Sequence, residues 1–165
     1  MAAEVTVARG DWVRALTALP AEQVTAVAGE VAKDMRIQHR QIPRTGLGLL
    51  TLEESTKGER FFLGEFPLAI AEVEIETSDG RRASGGAQVM ADWAEWATAL
   101  AVCDAVLANT LPGAERVAEL VKEGMAVRER EKRVRKSILA RTHVDFSLLS
   151  TVEQPNEESG DDRIG

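Results

Sequence analysis

Between Ala69 and Thr77 the chain alternates without a slip, with Ala71, Val73 and Ile75 on one side and Glu72, Glu74 and Glu76 on the other. A sustained period of two describes a strand with one face buried and one face in water. The partner follows at once. Asp79-Gly80 is the strongest hairpin signal in the sequence, because both residues accept the positive φ that a two-residue turn needs. With those two at the turn centre, Arg81 falls on the face of Glu74 and Glu76, so opposite charges meet across the strands. The return strand runs through Ala83-Ser-Gly-Gly-Ala-Gln-Val-Met90, where Gly85-Gly86 marks a bulge or a close approach by another backbone.

Upstream, Arg36 to Ile42 alternates and is closed by Pro43, which predicts a short strand. Leu47 to Glu54 is apolar and flat. Thr56-Lys57-Gly58 then supplies a turn with glycine where φ > 0 is easiest, and Glu59 to Leu63 returns as the partner strand. Helices bracket these strands. Asp11 is placed to cap a helix to Leu19 carrying Trp12 and Leu16, and Pro20 starts a second one with Val24, Val27, Ala28 and Val31 at helical spacing. After the strands, Asp92 is the expected cap of a third helix whose Trp93, Trp96, Ala97, Leu100, Cys103 and Leu107 form one stripe. A long fourth helix is predicted from Pro112 to about Ala140. The fold class is α+β: an antiparallel sheet of about four to five strands flanked by two N-terminal and two C-terminal helices.

Size allows one domain, expected over residues 1–150, with an acidic disordered tail over 151–165. Only 4% of residues are aromatic and none is tyrosine, so surfaces for base stacking are scarce. The net charge of −7 also argues against general nucleic-acid binding. A lone Cys103 permits no internal disulfide, and neither a secretory signal nor a long apolar span is present, which points to a cytoplasmic protein. Charge is unevenly placed. Residues 115–141 carry nine cations and five carboxylates, a local +4, whereas the chain from Glu153 carries a local −4.

Self-sufficient catalytic machinery is not visible. His39 and His143 lie far apart, without a second ligand at metal spacing, and His143 reads as a polar cap beside Asp145. Cys103 reads as a small buried hydrophobe. There is no phosphate-binding Gly-x-x-x-x-Gly-Lys-Ser/Thr loop, and Gly46-x-Gly48 is too short for a dinucleotide fold. Two features stand out instead. In Gly58-Glu59-Arg60-Phe61-Phe62 each strand face carries one charge and one ring; either the charges are solvated on a surface hairpin, or one is buried against a partner from elsewhere. The fourth helix has only a narrow apolar stripe of Val117, Leu120, Val121, Val127, Val134 and Ile138. Such a helix is either solvated and laced by its own charges or laid along a partner.

Thr45-Gly46-Leu47, the run Gly58-Glu59-Arg60-Phe61-Phe62-Leu63-Gly64, the Asp104-Ala105 step and the closing Val144-Asp145-Phe146 occur in an order and spacing that resemble the PhnG family. The resemblance covers roughly Asp11 to Leu149. It implies a subunit of the carbon–phosphorus lyase core complex, with PhnI, PhnH and PhnJ as partners and a PhnL- or PhnK-type ATPase subunit alongside. It further implies support for transfer of the ribose triphosphate moiety of ATP to an alkylphosphonate, with adenine released and a ribose 1-phosphonate 5-triphosphate formed. Catalytic residues would lie on other subunits, so this chain is expected to be inactive alone, to bind no cofactor itself, and to meet ATP as the substrate of the complex. Gly58, Glu59, Arg60, Phe61, Phe62, Gly64, Asp104 and Asp145 are the residues this likeness marks for partner contact or structure. Met90-Ala91-Asp92 and Trp96 depart from the family pattern, and no ligand role is carried onto them.

An alternative reading makes the chain a stand-alone binder of ATP or triphosphate, with Lys132, Arg133, Arg135 and Lys136 as anion contacts.

Overall fold

The structure, a computed structural model, describes residues 7–141. After a 3-10 turn at Arg9–Asp11 come α1 (Trp12–Leu16) and α2 (Ala21–Ala32). Three strands follow, β1 (Arg36–Glu53), β2 (Arg60–Glu76) and β3 (Arg82–Val89), and then α3 (Ala94–Ala108) and α4 (Ala114–Arg141). The strands form one antiparallel sheet in the order β1-β2-β3. The class is α+β, as expected, but the sheet has three strands rather than four to five.

The count fell because the expected short strands merge across Pro43, which read as a strand end, and across Pro67. Pro43 sits in an irregularity of β1, where the register shifts between Gln41 and Arg44, and Pro67 lies opposite Leu47 in a stretch of β2 that has no neighbour on its other side. Bulges and edges are where a missing N–H costs least. Each short run therefore joins the next, giving strands of 18 and 17 residues.

The alternation in β2 holds. Ala69, Ala71, Val73 and Ile75 are buried, beside Ala83, Ala87 and Val89 of β3, while Glu72, Glu74 and Glu76 face outward. Burying Val73 or Ile75 fully contributes roughly 1.5–3 kcal/mol each. The hairpin register differs from expectation by one residue. Thr77 N–H donates to Arg81 O at 2.9 Å and Gly80, at φ +82°, donates to Thr77 O at 2.9 Å. The loop is therefore Ser78-Asp79-Gly80, the three-residue kind that ends on a left-handed glycine. Arg82, not Arg81, stands opposite Glu76, 3.4 Å away, and Arg81 folds back on Asp79 at 2.9 Å.

α3 carries the sheet. The expected stripe is an under-reading, since Trp96, Ala97 and every residue from Ala99 to Leu107 are buried. One side lies on β2 and β3 and another receives α2; small alanines let both approach. The close approach is tightest at Gly85, where a Cβ would meet the backbone of Ala101 and Ala105 and lie 2.7 Å from Ala105 Cβ. Register runs through Gly85 without a shift, so close approach, and not a bulge, is its role. Neither expected aspartate cap is made: Trp93 in extended conformation precedes α3, and Asp11 closes the 3-10 turn without a side-chain cap.

Cys103 is fully buried on α3, and burial, reinforced by the charge of Asp104, pushes its thiol up to about 12. The native chain is therefore expected to leave a disulfide reagent unreacted at pH 8, and to titrate one thiol only after denaturation. Rapid labelling of the folded chain would contradict this packing.

The chain divides into two compact units, residues 1–130 and 131–165. In the first, α4 buries Val117, Leu120, Val121 and Gly124, the last against the backbone of Ala15. In the second, the described residues 131–141 are the last turns of α4, and all are exposed. Val144-Asp145-Phe146, His143 and the acidic segment 151–165 lie outside the described residues.

Candidate functional site

Beyond the pair Ala69–Val89 the sheet loses its third strand, since β3 accompanies β2 only from Ala69 to Glu76. Residues 44–53 of β1 and 60–68 of β2 continue as a two-stranded ribbon, about 30 Å long at 3.3 Å per residue. A ribbon of two strands is marginal in water by itself. Its side chains make the situation sharper. The register sets Leu47, Leu49 and Phe62 on the face that continues the core side, and Leu50, Leu52, Phe61 and Phe66 on the other. Both faces are apolar and largely uncovered: Leu47 is 67% exposed, Phe62 71% and Leu63 60%, with Ile42 at the base 88% exposed.

Alternation puts Phe61 and Phe62 on opposite faces, and a bulge beyond them sets which face each takes. Leu50 pairs with Gly64 and Thr51 with Phe62, so Leu63 is the extra residue. Further down, Gly48 lies opposite Phe66, whose ring covers it; a Cβ at 48 would lie 2.5 Å from Phe66 Cζ. The tip closes through Gly58 N–H to Glu54 O and Glu54 N–H to Glu59 O, both 2.9 Å, with Gly58 at φ +71° as its sequence position predicts. Arg60 reaches Glu53 at 3.7 Å, and both side chains are more than half exposed. The charges of Glu59-Arg60 are thus solvated at the end of an arm, where such a pair contributes little.

Asp104 belongs to a different place. Arg9 Nε and Nη2 donate to its two carboxylate oxygens, each at 2.8 Å, and Gly86 N–H donates to Oδ2 at 3.0 Å. One carboxylate ties the N-terminal turn and the edge of β3 to α3. Its side chain is 10% exposed against 58% for Arg9. The hydrogen bond and the charge of Asp104 hold the Arg9 guanidinium above its ordinary value. An open depression of about 210 Å³ adjoins them, lined also by Arg40, Glu72 and Ser84. Glu72, opposite Gly86, is twelve residues from Arg60 along β2, about 40 Å.

The residues marked from sequence therefore fall into separate groups. Gly58, Glu59, Arg60, Phe61, Phe62 and Gly64 share the arm, Asp104 sits at the β3 edge, and Lys132, Arg133, Arg135 and Lys136 lie on exposed turns of α4. Asp145 is outside the described residues. Arg9 was missed, because a pair separated by 95 residues leaves no local signal. Leu47, Leu49, Leu50 and Leu52 were readable as apolar, and their signal was the loss of alternation: two apolar faces mean two coverings. Among the described residues no group of three or more His, Cys, Asp or Glu is placed to hold a metal, and no helix is long and apolar enough to cross a membrane.

A search of curated proteins gave no match to the chain. The family model described as "Phosphonate metabolism protein PhnG" matches residues 7–151, a span that takes in the arm, the Asp104 junction and the whole of α4. With most of its length inside that match, this chain belongs to the PhnG family of phosphonate metabolism proteins.

Proposed function

We propose that this chain is an accessory subunit of the carbon–phosphorus lyase core complex. It supports transfer of the ribose triphosphate moiety of ATP to an alkylphosphonate, without supplying the reacting groups. The observation that carries the reading is the arm. A 30 Å ribbon with two apolar faces is a poor surface for a free-standing protein and a good one for insertion between the surfaces of a larger assembly. PhnI, PhnH and PhnJ are the proposed partners, with a PhnL- or PhnK-type ATPase subunit joining them, in the cytoplasm. Arg60 and Glu59 at the tip would set orientation, and the leucines and phenylalanines would supply the buried area.

The test is co-expression with the PhnI, PhnH and PhnJ proteins, followed by size-exclusion chromatography with mass determination. Stable co-elution is expected. Phe62→Glu should weaken assembly at least about 30-fold, as for a central anchor residue, while leaving the unfolding midpoint of the isolated chain nearly unchanged, because Phe62 is exposed there. A chain that elutes apart from all three partners would overturn the subunit reading. A second reading, direct binding of ATP or triphosphate by Lys132, Arg133, Arg135 and Lys136, is favoured by their exposure on consecutive turns of α4, and ATP titration of the isolated chain separates it from the first.

A further inference from the structure

The two open edges of the ribbon are built differently. Successive residues of a strand turn their backbone N–H and C=O to opposite sides. Glu54 N–H donates to Glu59 O across the tip at 2.9 Å, so the even residues of β1 from Arg44 to Glu54 face β2. The pairs Arg44–Ile70, Gly46–Leu68 and Gly48–Phe66 keep that parity. Thr45, Leu47, Leu49, Thr51 and Glu53 therefore turn their backbone groups outward. On β2, Thr77 N–H donates to Arg81 O at 2.9 Å on the β3 side, so the odd residues from Thr77 down to Glu65 face away from β1.

The edge of β2 refuses a strand. Its first outward position past the end of β3 is Pro67, which has no N–H; the next is Glu65, a charge, and the extra residue Leu63 breaks the run after that. Proline, charge and bulge are the devices that blunt an edge. From Thr45 to Thr51 the edge of β1 has no proline, no charged residue and no extra residue, and it is exposed apart from part-buried Gly48. Among the described residues no strand pairs with it. Its ends are marked by charge, Arg44 at one and Glu53-Glu54 at the other. A second copy could satisfy the backbone, but it would set its own bare leucines and phenylalanines beside these and enlarge the uncovered apolar surface. A different protein can bring both a strand and the surface behind it.

We infer that the β1 edge from Thr45 to Thr51 receives an extended segment of a partner protein by strand addition, while the β2 edge takes none. The segment is about seven residues long, apolar on both faces and uncharged in its middle. It carries a carboxylate beside Arg44 and a cation beside Glu53-Glu54. This deepens the subunit reading and rests on it.

Hydrogen exchange of single amides, compared between the free full-length chain and the co-purified assembly, tests it. The amides of Thr45, Leu47, Leu49 and Thr51 are expected to slow at least about tenfold on assembly, and that of Glu65 by less than about twofold. Leu49 and Glu65 stand opposite each other, each follows a glycine and each turns its N–H outward. Leu49→Pro and Glu65→Pro therefore remove one edge donor apiece without touching a bond inside the ribbon. Leu49→Pro should weaken assembly about tenfold beyond Leu49→Ala, and Glu65→Pro by less than about twofold. If the chain co-elutes with its partners but the four β1 amides exchange as in the free chain, strand addition is overturned and the subunit reading stands. Equal slowing at Glu65 overturns it too, by reporting mere coverage of the ribbon. Slowing in the isolated chain that grows with its concentration assigns the edge to a second copy and overturns the partner. Elution apart from all partners overturns both readings.

Discussion

Adding one methyl group at position 85 is expected to lower the unfolding free energy by about 3 kcal/mol, the upper end of the range for overpacking a core. In Gly85→Ala the new Cβ would run into the backbone of Ala101 and Ala105, where α3 crosses β3. Backbone cannot rotate out of the way as a side chain can, so the whole helix must lift from the sheet. Gly86→Ala is the control. Its nearest neighbours would be Glu72 Cγ at 3.7 Å and Ala71 O at 3.8 Å, ordinary contact distances, and its effect should stay within about 0.5 kcal/mol. Urea denaturation followed by circular dichroism measures both. Equal midpoints for the two variants would show that α3 does not lie where the structure puts it.

The second large effect belongs to Asp104. Asp104→Ala removes both acceptors of the Arg9 guanidinium and leaves Gly86 N–H without its partner. Losing the acceptor of a part-buried donor costs about 1–3 kcal/mol. Arg9 is more than half exposed and recovers water, which discounts the ionic share. We expect about 2 kcal/mol for Asp104→Ala and about 1 kcal/mol for Arg9→Ala. The two should not add: in the double variant Arg9→Ala contributes little further, because its partner has already gone. Full additivity in a denaturant-based double-mutant cycle would mean that the two side chains act separately.

How far the sequence could be read depends on the range of each signal. The alternation over Ala69–Thr77 is local and backbone-driven, and it returned the central strand and its buried face correctly. Asp79-Gly80 announced a hairpin but not its loop length, and one residue of difference moved Arg82 into the place expected for Arg81. Pro43 read as a boundary because a proline removes an N–H. Whether that N–H was needed depends on neighbours that local pattern does not show. Alanines of α3 carry little hydropathy contrast, so a helix buried on nearly every side looked like one with a single stripe. The ion pair at Asp104 was out of reach altogether.

The arm itself was half legible. The glycines and the Glu-Arg-Phe-Phe run fixed a hairpin and its tip, and Gly58 takes the positive φ its position demanded. What could not be read was that β3 stops at Val89, level with Ala69, and leaves the ribbon uncovered. Solvation of the tip charges follows from that same early stop: no third strand arrives to bury them.

Among the described residues, the outer edge of β1 from Arg36 to Glu53 and that of β2 from Arg60 to Leu68 are left unpaired by any strand. Natural sheets blunt such edges with charge, and here the stretch from Leu47 to Leu52 has none. A copy with nothing on these edges therefore carries a ready template for stacking upon its own kind. A cell that overproduces this chain alone is expected to store it as insoluble deposits.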